Sequence, residues 1–438
     1  MNKCRTNIQY VVDKKKCSGC GACYVACTYN AIEIKRNKSQ GLYLPHIDKE
    51  HCVNCKACLA VCSGHTFAKK IDFDCANSDS DLGQYREIFY GYSADTDLRK
   101  SAASGGCISE ILRSALIHNE IDGAIVVDLS FNCSIDSTVY IARTEADILR
   151  AKGSKYFPSN NCIAVKDVLK YTDERFAFVG LPCQVNAIRL LQEKYPVLKN
   201  NIKLVIGIFC GHMVNFHGTE ALLSANFLNS SRITSLSYRG LGWPGFFNAV
   251  ENSGRTINIR SGKVWQEFFQ NNLYTPQRCL MCSDFFSNQA DISVGDAWDP
   301  DLLQESSEGY SSLIVRSSFV FMYINRLMRQ GVVHLKLYNI SRMKKNFRTN
   351  ILFSKYLIQY KMFIAKLIGL ELPPADKVFK NHEQIKSIRV FVLVFLIFCF
   401  HKIRVFFCFV TKFSGGRYIY NKVYQKILWL LNKWSRRE

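Results

Sequence analysis

The sequence predicts a multidomain protein of the α+β and α/β classes: a small cysteine-rich N-terminal unit, a larger mixed α/β domain and a basic helical C-terminal extension. Three observations predict it. Two four-cysteine runs of identical spacing fall between Cys17 and Cys62. From about residue 85 to residue 335, short apolar runs alternate with helical patterns, as in strands covered by helices. The charge is concentrated at one end: residues 1–312 hold 33 Lys+Arg against 32 Asp+Glu, whereas residues 313–438 hold 24 against 4. The expected domains are residues 1–75, 76–345 and 346–438.

The runs read Cys17-x2-Cys20-x2-Cys23-x3-Cys27 and Cys52-x2-Cys55-x2-Cys58-x3-Cys62, the spacing of a bacterial-type ferredoxin with two [4Fe-4S] cubanes. Three thiolates two residues apart wrap one corner of a cube, and the fourth, on a short helix, reaches the partner cluster. Cys17, Cys20, Cys23 and Cys62 are therefore expected on one cubane, and Cys52, Cys55, Cys58 and Cys27 on the other. Paired Cys-x2-Cys units also bind zinc, but zinc needs two pairs, not a triple followed by a fourth at a fixed offset. Thr28 and Ser63 replace the proline that often follows the fourth cysteine, which alters a turn and removes no ligand. Gly19, Gly21, Ala22 and Ala57 leave room for backbone N–H groups to approach cluster sulfurs. Residues 31–34 and 42–45 read as strands joined by a polar turn, and residues 77–81 as a linker.

A hydrophobic fraction of 48% excludes wholesale disorder. Of 19 cysteines, eight are committed to a framework that needs reduced thiols, which points to a reducing compartment. The first ten residues hold no apolar core of signal-peptide length, so a cytoplasmic protein is expected.

In the middle region, residues 100–106 precede a helix expected over 108–118, with Ser104 as its N-cap. Apolar strands over 124–127, 176–179 and 204–209 suggest a largely parallel sheet, followed by a hairpin turning at residues 252–255. Cys183 and Cys210 each follow a strand and precede a helix, at the carboxyl edge where sites in open α/β sheets gather. Cys279 and Cys282 add a close pair. Four thiols meeting there would hold a third cubane, but a cysteine after a strand is also a common small core residue. Spacing alone leaves both readings open.

Six motifs then carry a resemblance. Lys100-Ser-Ala-Ala-Ser-Gly-Gly106, Gly153-Ser154-Lys155-Tyr156, Gly180-Leu-Pro-Cys-Gln184, Phe209-Cys-Gly-His212, Arg278-Cys-x2-Cys282 and Ala290-Asp-Ile-Ser-Val-Gly-Asp296 occur in this order. Over residues 1–340 the chain resembles the family of the coenzyme F420-reducing hydrogenase beta subunit, which includes 7-hydroxymethyl chlorophyll a reductase and bacterial members with an N-terminal ferredoxin domain. The resemblance implies an FAD enzyme whose catalytic domain carries its own [4Fe-4S] cluster on Cys183, Cys210, Cys279 and Cys282. It also implies flavin contacts from Ser101, Ser104, Gly105, Gly106, Gly153, Ser154, Lys155 and Tyr156. Glycines ahead of a helix N-terminus suit a diphosphate, whereas Lys155 alone would read as a solvated lysine. His212 and Asp296 are candidates for proton handling or for packing.

The function implied is an iron-sulfur flavoprotein oxidoreductase. It would link a reduced ferredoxin or another redox protein to an organic small-molecule or lipid-linked substrate, in bacterial relatives often in surface-polysaccharide biosynthesis. The alternative is a non-catalytic electron-relay subunit of a larger complex.

In the basic extension, residues 390–400 are unbroken apolar sequence, too short for a span of about 20 residues. With residues 405–410, Trp429 and Trp434, they read either as shallow amphipathic helices on an anionic membrane surface or as an appendage packed on the catalytic domain. Nucleic acid is not an expected partner, because no binding motif accompanies the charge.

Overall fold

The computed structural model describes residues 7–270, 272–367 and 388–402, and near the C-terminus 421–427, 429–430 and 433. In the N-terminal unit β1 (Ile32–Asn37) and β2 (Leu42–Ile47) pair antiparallel, with Ile34 opposite Pro45. Short helices Ala22–Ala26 and Ala57–Ala60 carry the third cysteine of each triple, Cys23 and Cys58, and each is entered through a left-handed residue, Gly21 at φ 87° and Lys56 at φ 65°. The segment expected as a linker is instead a hairpin of β3 (Asn77–Asp79) and β4 (Gly83–Tyr85). Lys344 lies 3.0 Å from Asp79 and 2.6 Å from Asp81, so the acidic run balances a cation from far downstream.

The main sheet is built from β5 (Glu87–Ser93), β6 (Gly123–Phe131), β7 (Ile135–Ala142), β8 (Phe176–Gly180) and β9 (Ile202–Ile208). A separate three-stranded antiparallel sheet follows, made of β10 (Ile233–Ser237), β11 (Phe246–Glu251) and β12 (Thr256–Arg260). Then β13 (Ile292–Asp296), β14 (Ser311–Val315) and β15 (Val333–Leu337) return to the main sheet. Its order is β15-β5-β14-β13-β9-β8-β6-β7. The parallel arrangement expected from the sequence holds for the centre, where β13, β9, β8 and β6 run together. Both flanks are antiparallel: β7 on β6, and β14, β5 and β15 on the other side. The predicted hairpin joins β11 and β12, with Gly254 left-handed in its turn.

Helices Cys107–Ile117 and Ser318–Arg329 bury Ile111, Leu112, Ile324 and Leu327 against Val126, Ile206 and Leu313 of the sheet. The helix Pro182–Lys194 packs Val185, Ile188 and Leu191 on Phe176, Phe178 and Val205. That second core also takes in Ala22, Val25, Ala26 and Val61, so the cysteine-rich unit shares apolar packing with the large domain. The Cys162 N–H donates to the Cys20 carbonyl at 2.9 Å, and Arg36 bridges Asp136 and Glu220 at 3.1 and 2.9 Å. Ser104 does not cap the following helix. Gly106, left-handed, occupies the N-cap, and the Ser104 hydroxyl lies 2.9 Å from that of Ser311.

The tail contributes helices Ile358–Leu367 and Ile388–Lys402. Leu393, Val394, Ile397 and Phe398 are buried with Leu273, Leu280, Met281, Leu357 and Ile364, while Val392 and Phe395 stay exposed. One face of the apolar run is therefore packed on the protein, as the reading of an appendage on the catalytic domain expects. Residues 405–410 and Trp434 lie outside the described residues. Among the described residues no helix is long and apolar enough to cross a membrane.

Candidate functional site

The structure brings the N-terminal thiols close to one another. Cys17, Cys20, Cys23 and Cys62 act electrostatically on one another. Burial, then the neighbouring thiols, pushes Cys17 and Cys23 up, and Cys62 up to about 12. Cys20 is the exception, lowered to about 6 chiefly by a hydrogen bond from the Cys162 thiol. Cys27, Cys52, Cys55 and Cys58 line a single open recess, together with Asn7, Tyr29 and Val53. Backbone donors reach the sulfurs: Gly19 N–H lies 3.4 Å from Cys17 Sγ and Ala31 N–H 3.3 Å from Cys27 Sγ. A Cβ on Gly19 would stand 2.7 Å from the Tyr43 carbonyl, so this close approach requires glycine.

A third set forms in the large domain. Cys183 sits in the first turn of Pro182–Lys194, Cys210 follows β9, and Cys279 and Cys282 flank the end of the short helix Gln277–Leu280. All four are half-buried and mutually coupled; burial first, then the other thiols, raises Cys183 to about 11, Cys279 to about 12 and Cys210 well above its ordinary value. Thiols crowded this way resist ionising as a group unless cationic iron sits among them. Among the described residues no three His, Cys, Asp or Glu close tightly enough to grip a single metal ion. The thiolates of a cubane stand farther apart than those of a tetrahedral ion, because iron and sulfide lie between them. The donor sets thus suit clusters of the [4Fe-4S] kind.

The two segments expected to contact flavin meet at one loop, residues 238–245. Gly242 N–H donates to the Lys100 carbonyl at 3.3 Å, and a Cβ on Gly240 would stand 3.6 Å from the Ser101 carbonyl. From the other side Tyr156 packs on Tyr238 and Trp265. Gly153 is left-handed, and a Cβ there would meet nothing within 4 Å. Gly105 is wedged against the sheet, where a Cβ would stand 2.3 Å from the Gly91 carbonyl. Ser101 donates to the Asp97 carbonyl and ends the helix Thr96–Ser101. Ser154 is half-buried beside Lys155. Lys155 is not a solvated lysine: its Nζ bonds the carbonyls of Ala151, Lys152 and Gly153, and burial lowers it to about 8.

His212 and Asp296 are both engaged. His212 Nε2 lies 2.7 Å from the Phe269 carbonyl, so Nε2 carries the proton; the ring stacks on Trp265, and burial holds the imidazole below its ordinary value. Asp296 accepts from Arg239 Nη1 and Trp243 Nε1, each at 2.8 Å. Its charge is balanced and both oxygens have donors, an arrangement that positions Arg239 and Trp243.

Comparison with known proteins decides the family. Residues 88–166 match the N-terminal part, and residues 173–340 the C-terminal part, of "Coenzyme F420 hydrogenase/dehydrogenase, beta subunit"; residues 16–64 match a 4Fe-4S dicluster domain. The chain belongs to the family of the coenzyme F420 hydrogenase/dehydrogenase beta subunit. It is 29% identical over 269 residues to the coenzyme F420 hydrogenase subunit beta of Methanococcus voltae, covering 58% of this chain and 85% of that protein. Identity to the coenzyme F420 hydrogenase subunit beta of Methanothermobacter thermautotrophicus is 28% over 270 residues, again covering 58% and 85%. A chain of the F420-reducing [NiFe] hydrogenase complex of Methanosarcina barkeri shares the fold, with a TM-score of 0.52 at 20% identity over 69% of this chain and 99% of that one. As a member of this family with a dicluster domain, the chain is an iron-sulfur, electron-transfer oxidoreductase-type subunit.

Several residues at the beta-subunit site escaped the sequence reading. Arg239 and Trp243 tie Asp296 to the loop of residues 238–245, and Trp243 stacks on Trp298 with centroids 5.3 Å apart. The only signal was a glycine-rich Tyr238-Arg-Gly-Leu-Gly-Trp-Pro-Gly245 stretch. Ser18 and Cys162 lie among the clustered thiols with no pattern that marks them out, and Arg278, although part of the Arg278-Cys-x2-Cys282 motif, was given no role of its own.

Proposed function

We propose that this chain is an FAD- and [4Fe-4S]-dependent oxidoreductase that exchanges single electrons with a redox protein and electron pairs with an organic substrate. The observation that carries this reading is the convergence of Cys183, Cys210, Cys279 and Cys282 beside the docked set of Cys17, Cys20, Cys23 and Cys62. When bound, clusters supply one-electron transfer and a flavin supplies conversion between one and two electrons. The chain's own residues would hold and insulate these groups. Twelve cysteines provide the three thiolate sets, and residues 101–106 and 153–156 face one loop as a flavin cradle. Arg239, held by Asp296, presents a buried cation there. The first turn after Gly106 already carries Glu110, whose charge Arg113 balances at 2.8 Å, so a flavin diphosphate would rely on backbone donors.

A ferredoxin-like donor would approach the recess of Cys27, Cys52, Cys55 and Cys58, where Tyr29 and Val53 are 52% and 54% exposed. The substrate class supported is an organic small molecule or lipid-linked acceptor, with a surface-polysaccharide setting for bacterial relatives of this domain order. Coenzyme F420 is the substrate named for the archaeal relatives. Exposed Phe363, Leu367, Val392 and Phe395 on the basic tail favour contact with the anionic inner face of a membrane. Liposome flotation with and without residues 346–438 tests this, and equal flotation of both forms ends it.

The second reading, a relay subunit without flavin, is favoured by the relatives' names, which are those of subunits. Acid release of cofactors from anaerobically purified protein separates the two. Free flavin in the supernatant supports the oxidoreductase; a supernatant without it supports the relay.

A further inference from the structure

A buried arginine lies where the two docked units meet. Arg278 is 8% exposed, and its Nη1 and Nη2 donate to the carbonyls of Lys16 and Ser63 at 3.2 and 3.0 Å. Those carbonyls adjoin Cys17 and Cys62, two thiols of the first N-terminal set, while Arg278 itself runs directly into Cys279. One guanidinium therefore ties three ligand-bearing segments from two thiol sets. The fit is close: a Cβ on Gly64 would stand 3.2 Å from Nη1. The groups acting on its charge are Cys183, Cys282, Cys62 and Cys279. Ser18, 6% exposed, directly follows Cys17, and both Cys20 and Cys183 feel its side chain. The remaining N-terminal set, Cys27, Cys52, Cys55 and Cys58, opens into its own recess, whose lining includes none of these residues.

We propose that Arg278, assisted by Ser18, is the positioning residue that couples the first N-terminal cluster to the cluster of the large domain. It sets their separation through the two carbonyls and raises both reduction potentials through its fixed charge. This rests on the three-cluster reading above. Each transfer across the junction moves one electron: the donor cluster is oxidised by one, the acceptor reduced by one, and no bond or proton changes place. Reduction adds negative charge, which a nearby buried cation stabilises. A planar fork that binds two carbonyls at once is a task for arginine, whereas lysine supplies the charge without the geometry.

The test is a potentiometric titration followed by electron paramagnetic resonance on the full chain, purified and loaded without oxygen, as wild type, Arg278→Gln, Arg278→Lys and Ser18→Ala. Arg278→Gln is expected to lower the potentials of the first N-terminal and large-domain clusters by at least a tenfold change in the one-electron equilibrium, about 59 mV. The second N-terminal cluster stays in place. Arg278→Lys recovers most of the shift, and Ser18→Ala moves the same two clusters the same way by less. Equal movement of all three clusters, or none, overturns the proposal. Should Arg278→Gln fail to fold, Ser18→Ala decides: movement of those two clusters alone supports the coupling, and unmoved potentials overturn it. A wild-type chain that holds only the two N-terminal clusters defeats the three-cluster reading and the coupling with it. Three clusters that ignore Arg278 and Ser18 defeat the coupling alone.

Discussion

Gly21 shows how much a single position carries at the junction. It adopts φ 87°, and a Cβ there would stand 2.5 Å from Ile163 Cγ2 and 3.2 Å from the Asn160 carbonyl. Gly21→Ala is expected to cost at least about 1–2 kcal/mol in backbone strain and to loosen the N-terminal unit. Denaturant unfolding of the loaded protein checks this, and an unchanged midpoint contradicts it. Asp299 lies just beyond the end of β13. It is buried and accepts from Arg342 Nε at 2.5 Å, Tyr338 Oη at 3.0 Å and Asn346 Nδ2 at 2.9 Å. Burial opposes its charge, but the bonds from Arg342 and Tyr338 outweigh it and hold the carboxyl below its usual range. With a depressed folded pKa, the stabilisation is present above the unfolded value of about 3.9 and is lost as pH falls through the folded one. Arg342 is 44% exposed, which discounts its share. Asp299→Asn is therefore expected to cost about 2–3 kcal/mol at neutral pH and to flatten the acid limb of a stability-versus-pH curve; an acid limb parallel to wild type contradicts this. At this scale the ligand cysteines were legible, because cubane geometry imposes a spacing on the chain. The bridging role of Arg278 was not, although it stood in a motif, because its partners are carbonyls, which every residue has.

Among the elements, the tail helix Ile388–Lys402 makes the clearest prediction. Ile397 and Val394 are 1% exposed against Leu280 and Met281, in the same loop as Cys279 and Cys282. Ile397→Ala is expected to cost about 2–5 kcal/mol and to speed proteolytic removal of the tail, and an unaltered cleavage rate contradicts the packing. Its length was legible in the sequence, but the side that faces the protein was not. An unbroken apolar run has no periodicity to mark a buried face. Strands β6, β8 and β9 announced themselves as apolar runs. The antiparallel flank did not, because β5 pairs with β14 and β15 from the far end of the domain and no local pattern specifies such partners. The β3–β4 hairpin was hidden by its polarity: its acidic residues face Lys344 and not water.

Across the whole molecule, three thiol sets lie along one route. An open recess on the N-terminal unit comes first, then a buried set at the junction, then a set at the carboxyl edge of the sheet. The sequence indicated the first two sets by spacing and the third only through its resemblance to a family. Convergence of Cys183, Cys210, Cys279 and Cys282 depends on four separate elements that meet only in the folded domain. Iron and acid-labile sulfide, counted per chain in oxygen-free preparations of wild type and Cys183→Ser, test the central claim most directly. The arrangement predicts about twelve of each in wild type and about eight in the variant, with the N-terminal clusters intact. About eight in both proteins would contradict it.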